Sequence, residues 1–312
     1  MKFNYYLQEF ISGVVGRCAV PLFFAISGYL FFLNVMNLND VLRKMRKRVK
    51  TLLIPYLIAC LFLPLFLVTM EYIPATGQFV NSSNFNQNFI GSPLEILYRI
   101  YVNAGNGSPL GFHLWFLRDL IVIVSITPIL FAFKKRVNPW LLVMGLLLIT
   151  YFFDNSFPTS LFWFVSGGCF LDKISLSVGG GNLWAVIVYM LIGIIEILYP
   201  MPWLKMLSIP IVALGIVAIW SLYDVLMKPD FQLRNHKMIG MVCSYTFFIY
   251  LYHEPTINIV RKILVLLIGG NSFGLAFSYL ASPWIFSVFA ILLGYSLRKF
   301  WPSMYSVLCG GR

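Results

Sequence analysis

Long apolar runs alternate with short polar or basic connections along this chain of 312 residues. An α-helix rises 1.5 Å per residue, so about 20 apolar residues cross the ~30 Å hydrocarbon core of a bilayer. Shorter runs count as spans here because a bilayer can thin locally. The pattern predicts an all-α fold, a polytopic membrane helix bundle with about nine transmembrane helices. The predicted spans are residues 10–33, 51–70, 112–133, 138–153, 158–172, 183–199, 207–227, 239–255 and 275–297.

One further apolar segment is too short to count as a span. Thr256–Ile268 follows Pro255, is amphipathic, and reaches about two thirds of the length of a spanning helix. Because a proline ends the preceding helix, the segment is predicted to lie at the membrane interface. A tenth crossing is the alternative.

The composition excludes a soluble domain and a nucleic-acid-binding role. Hydrophobic residues make up 60% of the chain, charged residues 11%, and the mean hydropathy is +0.83. The net charge of +12 comes from short basic clusters between apolar runs, so it reports membrane topology. The five cysteines are scattered without metal-ligand spacing, and we expect no metal site.

The basic clusters also predict the orientation in the membrane. The densest cluster lies between the first two predicted spans and comprises Arg43, Lys44, Arg46, Lys47, Arg48 and Lys50. Since lysine and arginine concentrate in cytoplasmic connections, this cluster and the C-terminus are predicted to be cytoplasmic. The N-terminus is then outside, and residues 71–111 form an extracytoplasmic loop.

With this orientation, the ionisable residues inside the predicted spans lie near the outer helix ends. Such groups are costly in a bilayer and are functional candidates by default. The cluster predicts either a proton-transfer and acceptor-binding pocket or mutually neutralising polar packing. Its members are Arg17, His113, Arg118, Asp119, Glu196, His253 and Glu254.

The first predicted span contains two separate features. Arg17 precedes Pro21 and is a candidate to bind an acceptor oxygen or phosphate, or to pair with Glu9. Ser27 and Gly28 are small enough to admit another helix, and we interpret them as packing residues.

Three stretches together resemble the membrane-bound acyltransferase 3 family. They are VPLFFAISGYLFF with the basic connection and LLIPYL, then HLWFL, then FFIYLYHEP. The resemblance covers nearly the whole chain and implies a single transmembrane domain, residues 1–312. It implies an enzyme that moves an acyl group other than aminoacyl, most often acetyl, from cytoplasmic acyl-CoA to a hydroxyl of an exported or surface polysaccharide or glycolipid. The location implied is the bacterial cytoplasmic membrane.

The resemblance assigns His113 and His253 as candidate catalytic residues, one of them acting as general base. Alternatively, His253 caps a helix end before Pro255, and His113 with Trp115 anchors an aromatic belt. The candidate acceptor-binding or pocket residues are Arg17, Trp115, Arg118 and Glu254.

The family carries an Arg-x-x-Arg element at the basic connection, where acyl-CoA phosphates would bind. Here Arg43 and Arg46 fit that spacing literally, and Lys47 and Lys50 fit it with lysines. The predicted acyl-CoA-binding residues are Arg43, Arg46, Lys47, Arg48 and Lys50, although orientation alone would also explain a basic connection. Acyl-CoA is expected as a co-substrate, with no bound cofactor.

The chain departs from the family pattern at its start. The family places a helix with a histidine before the stretch that begins here, so an additional helix is expected upstream of Met1, giving about ten spans. A truncated inactive relative is one alternative, and an enzyme that uses His113 or His253 instead is another. The rival classes are a transporter or flippase of glycan export and a non-catalytic partner of a glycan assembly complex.

Overall fold

The computed structural model describes residues 2–73, 89–153, 155–170, 183–200, 204, 206–226 and 237–311. Within these ranges the chain is helical and contains no strand, which confirms the predicted all-α fold class. The helices are α1 Lys2–Phe32, α2 Leu38–Tyr72, α3 Pro93–Tyr101, α4 Trp115–Ser125, α5 Thr127–Arg136, α6 Pro139–Phe152, α7 Ser156–Phe170, α8 Leu183–Leu198, α9 Ser208–Leu226, α10 Lys237–Tyr252, α11 Thr256–Ile268, α12 Ser272–Phe300 and α13 Pro302–Leu308.

Several helices can cross a membrane. In the described part of the chain, α1, α2, α9 and α12 are long and apolar enough, and α4 with α5 qualifies as one interrupted span. Helices α6, α8 and α10 are apolar but shorter. The chain is therefore a multi-pass membrane protein. Each predicted span coincides with one of these helices or with α7, and the number of crossings stays a prediction.

Two predicted boundaries differ from the structure. The basic segment 43–50 is not a loop, because α2 is one helix of 35 residues that contains it. Its start is fixed by Asn37, whose side chain accepts from the Asp40 N–H at 2.9 Å and caps the first turn. The predicted span 112–133 is interrupted at Ile126, since Pro128, at the start of α5, has no N–H for a continuous helix.

The predicted extracytoplasmic loop 71–111 contains a helix of its own. Ser92 and Glu95 form a reciprocal capping box that starts α3. Residues 74–88 of this predicted loop lie outside the described residues. The side of the membrane on which the loop lies stays a prediction, as does the single-domain assignment.

The chain forms two compact units. Unit 1 comprises Met1–Lys44 and Ile126–His236, and unit 2 comprises Met45–Ser125 and Lys237–Arg312. The division falls inside α2 and again between α4 and α5.

In unit 1, glycines allow α1 and α7 to pack backbone to backbone. A Cβ on Gly28 would overlap the Phe164 carbonyl, and a Cβ on Gly167 would overlap the Ala25 carbonyl. Close approach through small residues is a common way for helices to associate in membranes. The structure thus confirms the packing role of Gly28.

The middle of α1 departs from α-helical geometry where it meets α8 and α9. Residues Glu9–Val15 form a π-helix and Gly16–Cys18 a 3-10 turn. The Tyr189 hydroxyl donates to the Val14 carbonyl at 2.6 Å and lies 3.1 Å from Cys18 Sγ. This α8 side chain therefore fixes both irregular turns to the rest of unit 1.

In unit 2, aromatic side chains join α10 to α13. Tyr305 is buried and lies 6.0 Å from Tyr245 and 5.9 Å from Phe248, measured between ring centroids. Helix α11 packs on α12, with the Arg261 guanidinium 5.4 Å from the centroid of the Tyr279 ring. Thr256–Ile268 is thus a helix, and its position at the interface stays a prediction.

We predict that Gly167→Ala destabilises the protein by about 1–3 kcal/mol, because the added methyl would push α1 and α7 apart. Thermal unfolding in detergent measures the effect. Gly145→Ala in α6 is the matched control, since its Cβ would meet no atom within 4 Å. It should be neutral or slightly stabilising. Equal melting temperatures for Gly167→Ala and the parent would contradict the close α1–α7 contact.

Candidate functional site

Two histidines from distant parts of the sequence lie side by side in unit 2. His113 lies in the 3-10 turn Phe112–Leu114 that leads into α4, and His253 follows the last residue of α10. Their ring centroids are 4.7 Å apart at an interplanar angle of 64°. His113 is buried and His253 is half-buried. The structure thereby brings the two predicted catalytic residues together.

The end of α10 supplies a hydrogen-bond acceptor to each ring. In a continuing helix the Leu251 carbonyl would accept from the N–H of residue 255, but Pro255 has no N–H. His113 Nε2 lies 3.2 Å from that carbonyl oxygen instead. His253 Nδ1 lies 2.8 Å from the Tyr250 carbonyl oxygen. Backbone acceptors released by the helix end therefore orient both imidazoles.

These contacts also determine where each neutral ring carries its proton. A carbonyl oxygen only accepts, so the facing ring nitrogen must be the N–H donor. His113 then carries its lone pair on Nδ1, a buried atom with no hydrogen-bond partner among the described residues. His253 carries its lone pair on Nε2. Each ring thus presents one basic nitrogen while the other nitrogen anchors it.

Tyr250 ties the two histidine segments together. Its hydroxyl donates to the His113 carbonyl at 3.0 Å, while its own carbonyl accepts from His253. Its ring also packs against Phe116 of α4, with centroids 5.9 Å apart. The sequence analysis did not single out this residue, although its place three positions before His253, one helical turn earlier, was an available signal.

Arg118 holds a loop. Its Nε and Nη2 donate to Asp119 Oδ1 at 3.0 and 2.7 Å, and its Nη1 donates to the carbonyls of Val102 and Gly107 at 2.7 and 2.8 Å. Most of its N–H donors are therefore occupied in fixing the segment that precedes His113. A contact from Arg118 to an acceptor stays a prediction.

Two other predicted pocket residues lie beside the histidines in sequence. Trp115 is half-buried and begins α4. Glu254 Oε2 accepts from Asn258 Nδ2 at 2.6 Å, across the first turn of α11. Their roles in acceptor binding stay predictions.

Arg17 lies in unit 1 and pairs with Glu196, not with Glu9. The distance from Arg17 Nη1 to Glu196 Oε2 is 2.8 Å, and the guanidinium carbon lies 5.9 Å from the centroid of the Tyr189 ring. Since both histidines belong to unit 2, the predicted cavity shared by Arg17, His113 and His253 stays a prediction.

A cavity of about 550 Å³ opens at this ion pair. It lies between the π-helical part of α1, the end of α8 and the start of α9. The residues that line it are Tyr5, Glu9, Gly13, Val14, Arg17, Glu196, Ile197, Pro200, Leu204 and Ser208.

Two basic residues at the start of α2 have hydrogen-bond partners within the protein. Arg43 Nη2 donates to Asp40 Oδ1 at 2.7 Å. Lys44 Nζ donates to the carbonyls of Phe31, at 2.9 Å, and Leu33 at the end of α1. Both therefore have structural partners within unit 1.

The remaining basic residues of this cluster belong to unit 2. By helical spacing, Arg46, Lys47 and Lys50 share one face of α2, and all three are exposed. Arg48 lies on an adjacent face and is half-buried. None of the four forms an ion pair within the described ranges, so their charges are available to a ligand.

No group of three or more histidine, cysteine, aspartate or glutamate side chains within the described ranges has the geometry to hold a metal ion. Two imidazoles that each keep one basic nitrogen can take part in proton transfer.

Comparison with known proteins shows to which family the chain is related. A family model described as an acyltransferase domain matches residues 2–299. The chain is 24% identical to the succinoglycan biosynthesis protein ExoH of Rhizobium meliloti (strain 1021), in an alignment that covers 98% of this chain and 82% of that protein. No solved structure matches the chain. Because the model covers nearly the whole chain, the protein belongs to the acyltransferase 3 family and is a transferase of acyl groups other than aminoacyl groups.

Proposed function

We propose that this protein transfers an acyl group, acetyl in the first instance, from cytoplasmic acyl-CoA to a hydroxyl of an exported or surface polysaccharide or glycolipid. The family supports acyl transfer, and the name of the relative from Rhizobium meliloti supports a polysaccharide as the acceptor. We place the protein in the bacterial cytoplasmic membrane with its C-terminus in the cytoplasm. The observation that carries the proposal is the His113–His253 pair, in which each ring has one anchored and one basic nitrogen.

In this proposal His253 is the general base. Its Nε2 takes the proton of the acceptor hydroxyl while the hydroxyl oxygen attacks the thioester carbonyl. The new C–O bond forms, the C–S bond breaks, and the proton passes from the imidazolium to the departing CoA thiolate. While the ring is charged, its Nδ1–H donates to the Tyr250 carbonyl, a charge-assisted bond stronger than the neutral one.

His113 has a positioning role in the same proposal. Its Nε2 donates to the Leu251 carbonyl, two residues before His253, so it holds the end of α10 from which the base projects. Its Nδ1 is buried and has no hydrogen-bond partner within the described residues, so it can accept a hydrogen bond from a hydroxyl that enters beside His253. Loss of the ring should therefore weaken acceptor binding more than turnover.

The exposed basic face of α2 supplies the acyl-CoA contacts in this proposal. Arg46, Lys47 and Lys50 offer unpaired cations to the phosphates, and Arg48 lies beside them. Arginine binds phosphate in a bidentate manner and lysine as a point charge, so Arg46 is expected to contribute the most specific contact.

A transporter would be expected to have discontinuous helices in two related halves. In the described ranges one helix pair, α4 with α5, forms an interrupted span. This observation does not favour transport over acyl transfer.

We expect His253→Ala to lower acyl transfer by roughly 10²–10⁴-fold, the usual contribution of an acid-base group. The assay uses the protein in nanodiscs with acetyl-CoA and a glycan from the producing cell. Tyr250→Phe is the matched control, since it removes the hydroxyl bond to His113 but keeps the carbonyl that orients His253. Tyr250→Phe should lower acyl transfer far less than His253→Ala does. Normal turnover by a folded His253→Ala protein would eliminate His253 as the base.

Replacing Arg46, Lys47, Arg48 and Lys50 by glutamine should weaken acetyl-CoA binding at least about fourfold. Each exposed ion pair is worth roughly 0.2–1 kcal/mol, and four are lost together. Calorimetry in nanodiscs at two salt concentrations measures the change. Arg43 and Lys44 remain, because Asp40 and the end of α1 engage them.

The control for this variant is Arg298→Gln with Lys299→Gln in the last turn of α12, which removes two positive charges that do not belong to α2. It should leave the affinity for acetyl-CoA unchanged. If the variant with all four substitutions binds acetyl-CoA as tightly as the parent, the basic face has only a topological role.

A further inference from the structure

Residues 302–311, here called the strap, form α13 and the short stretch that follows it in unit 2. Pro302 prevents α12 from continuing, because it has no N–H to donate to the preceding turn. Of the strap residues only Tyr305 and Cys309 are buried, and the others are half-buried or exposed. Segments that few buried contacts hold in place open at a low cost in free energy. The strap is therefore suited to being displaced.

One end of the strap lies against α2 directly after the basic face. Pro55 has no N–H to donate to the Thr51 carbonyl, so the helix leaves this oxygen without its usual partner. A Cβ on Gly310 would overlap that carbonyl and would lie 3.2 Å from Pro55 Cγ. The backbone of the strap thus packs directly on α2 at Thr51, the residue after Lys50.

The other contact of the strap is with α10, the helix that leads to His253. The Tyr305 ring lies 5.9 Å from the Phe248 ring, measured between centroids. Further along the same helix, Tyr252 packs edge to face on Phe62 of α2, with ring centroids 5.2 Å apart. Helices α2 and α10 therefore run side by side from the strap to the histidine pair.

The strap lies between the proposed phosphate site and the proposed base. In the proposed function the phosphates of acyl-CoA bind the basic face of α2, and the thioester has to reach His253. The rise along α2 from Lys50 to Phe62, which contacts the residue before His253, is about 18 Å. The pantetheine arm of the donor has to cover this length, and the strap occupies its beginning at Thr51.

The packed strap leaves two buried hydroxyls without partners. The hydroxyl oxygens of Tyr252 and Tyr305 form no hydrogen bond within the described residues. A buried hydroxyl without a partner is unfavourable, and its presence in a folded protein calls for an explanation. Displacement of the strap brings Tyr305 to water, and an amide of a pantetheine arm can pair with Tyr252. Opening therefore satisfies groups that the packed strap leaves unpaired.

We propose that the strap is autoinhibitory: it covers the surface of α2 and α10 along which the pantetheine arm of acyl-CoA reaches His253, and the arm displaces it. The inference rests on the proposed function in taking acyl-CoA as the donor and the basic face as its phosphate site. Donor binding and opening of the strap are then linked, so that each favours the other.

Two glycine substitutions test the strap through the affinity for acetyl-CoA, measured by calorimetry on the protein in nanodiscs. Gly310→Ala sets a methyl against the Thr51 carbonyl and should open the strap, so acetyl-CoA should bind about two- to tenfold more tightly. Gly311→Ala is the matched control, since its φ is also positive but its Cβ meets no atom within 4 Å. It should leave the affinity close to that of the parent.

Cys309 reports the opening directly, because its thiol is free and buried in the packed strap. Maleimide labelling, measured for each cysteine peptide by mass spectrometry, should be several-fold faster at Cys309 in Gly310→Ala than in Gly311→Ala. Cys60, a buried free cysteine of α2 in the same unit, is the internal control. Its labelling should be the same in both variants.

The parent protein gives a test that needs no substitution and so does not depend on the folding of a variant. Desulfo-CoA has the pantetheine arm and no thiol that would consume the reagent, and it should raise the labelling of Cys309. ADP has phosphates and no arm, so it should leave the labelling unchanged. This difference separates displacement by the arm from an effect of phosphate binding.

Autoinhibition by the strap is overturned if Gly310→Ala binds acetyl-CoA no more tightly than Gly311→Ala does. It is also overturned if desulfo-CoA does not raise the labelling of Cys309, or if ADP raises it equally. These results leave the proposed function standing, because the parent still binds acetyl-CoA. If neither the parent nor Gly310→Ala binds acetyl-CoA, the proposed donor is wrong and autoinhibition is overturned with it.

Discussion

The histidine pair depends on a proline that cannot donate a hydrogen bond. Pro255 leaves the carbonyl of Leu251 without its helical partner, and the end of α10 also leaves the carbonyl of Tyr250 available. Each carbonyl takes one imidazole N–H, and the two rings come within 4.7 Å of each other. A buried carbonyl must find some donor, so the histidine contacts satisfy a requirement of the backbone as well as of the chemistry. The alternatives of helix-end cap and functional base for His253 are therefore compatible.

Two lysines in unit 1 bind carbonyl groups at helix ends. Lys44 donates to carbonyls at the end of α1, and Lys134 donates to the Gly168 carbonyl near the end of α7. A lysine placed there complements both the unpaired carbonyls and the negative end of the helix dipole. Positive charge counted from the sequence alone therefore overstates the charge that is available to a ligand. The exposed basic residues of α2 in unit 2 are the better candidates for binding a ligand.

The sequence predicted the fold class and most helix positions because apolar runs with polar boundaries are local signals. It also predicted that His113 and His253 belong to one site, through the resemblance and their similar predicted depth. It missed the continuous α2, because a cluster of charges resembles a loop, whereas charged residues with helical spacing continue a helix equally well. It also missed the partner of Arg17. Glu9 is close in sequence, but the ion pair forms with Glu196, and only tertiary packing brings α8 against α1.

The placement of Arg17 follows from what a charge costs in a membrane helix. An unpaired arginine at the centre of a span costs about 2.5–3.5 kcal/mol on insertion scales. Glu196 neutralises it, and the Tyr189 ring covers the guanidinium from another side. The hydroxyl of the same tyrosine holds the Val14 carbonyl in the π-helical turn. The arginine, its acid and the irregular backbone are thus one connected arrangement.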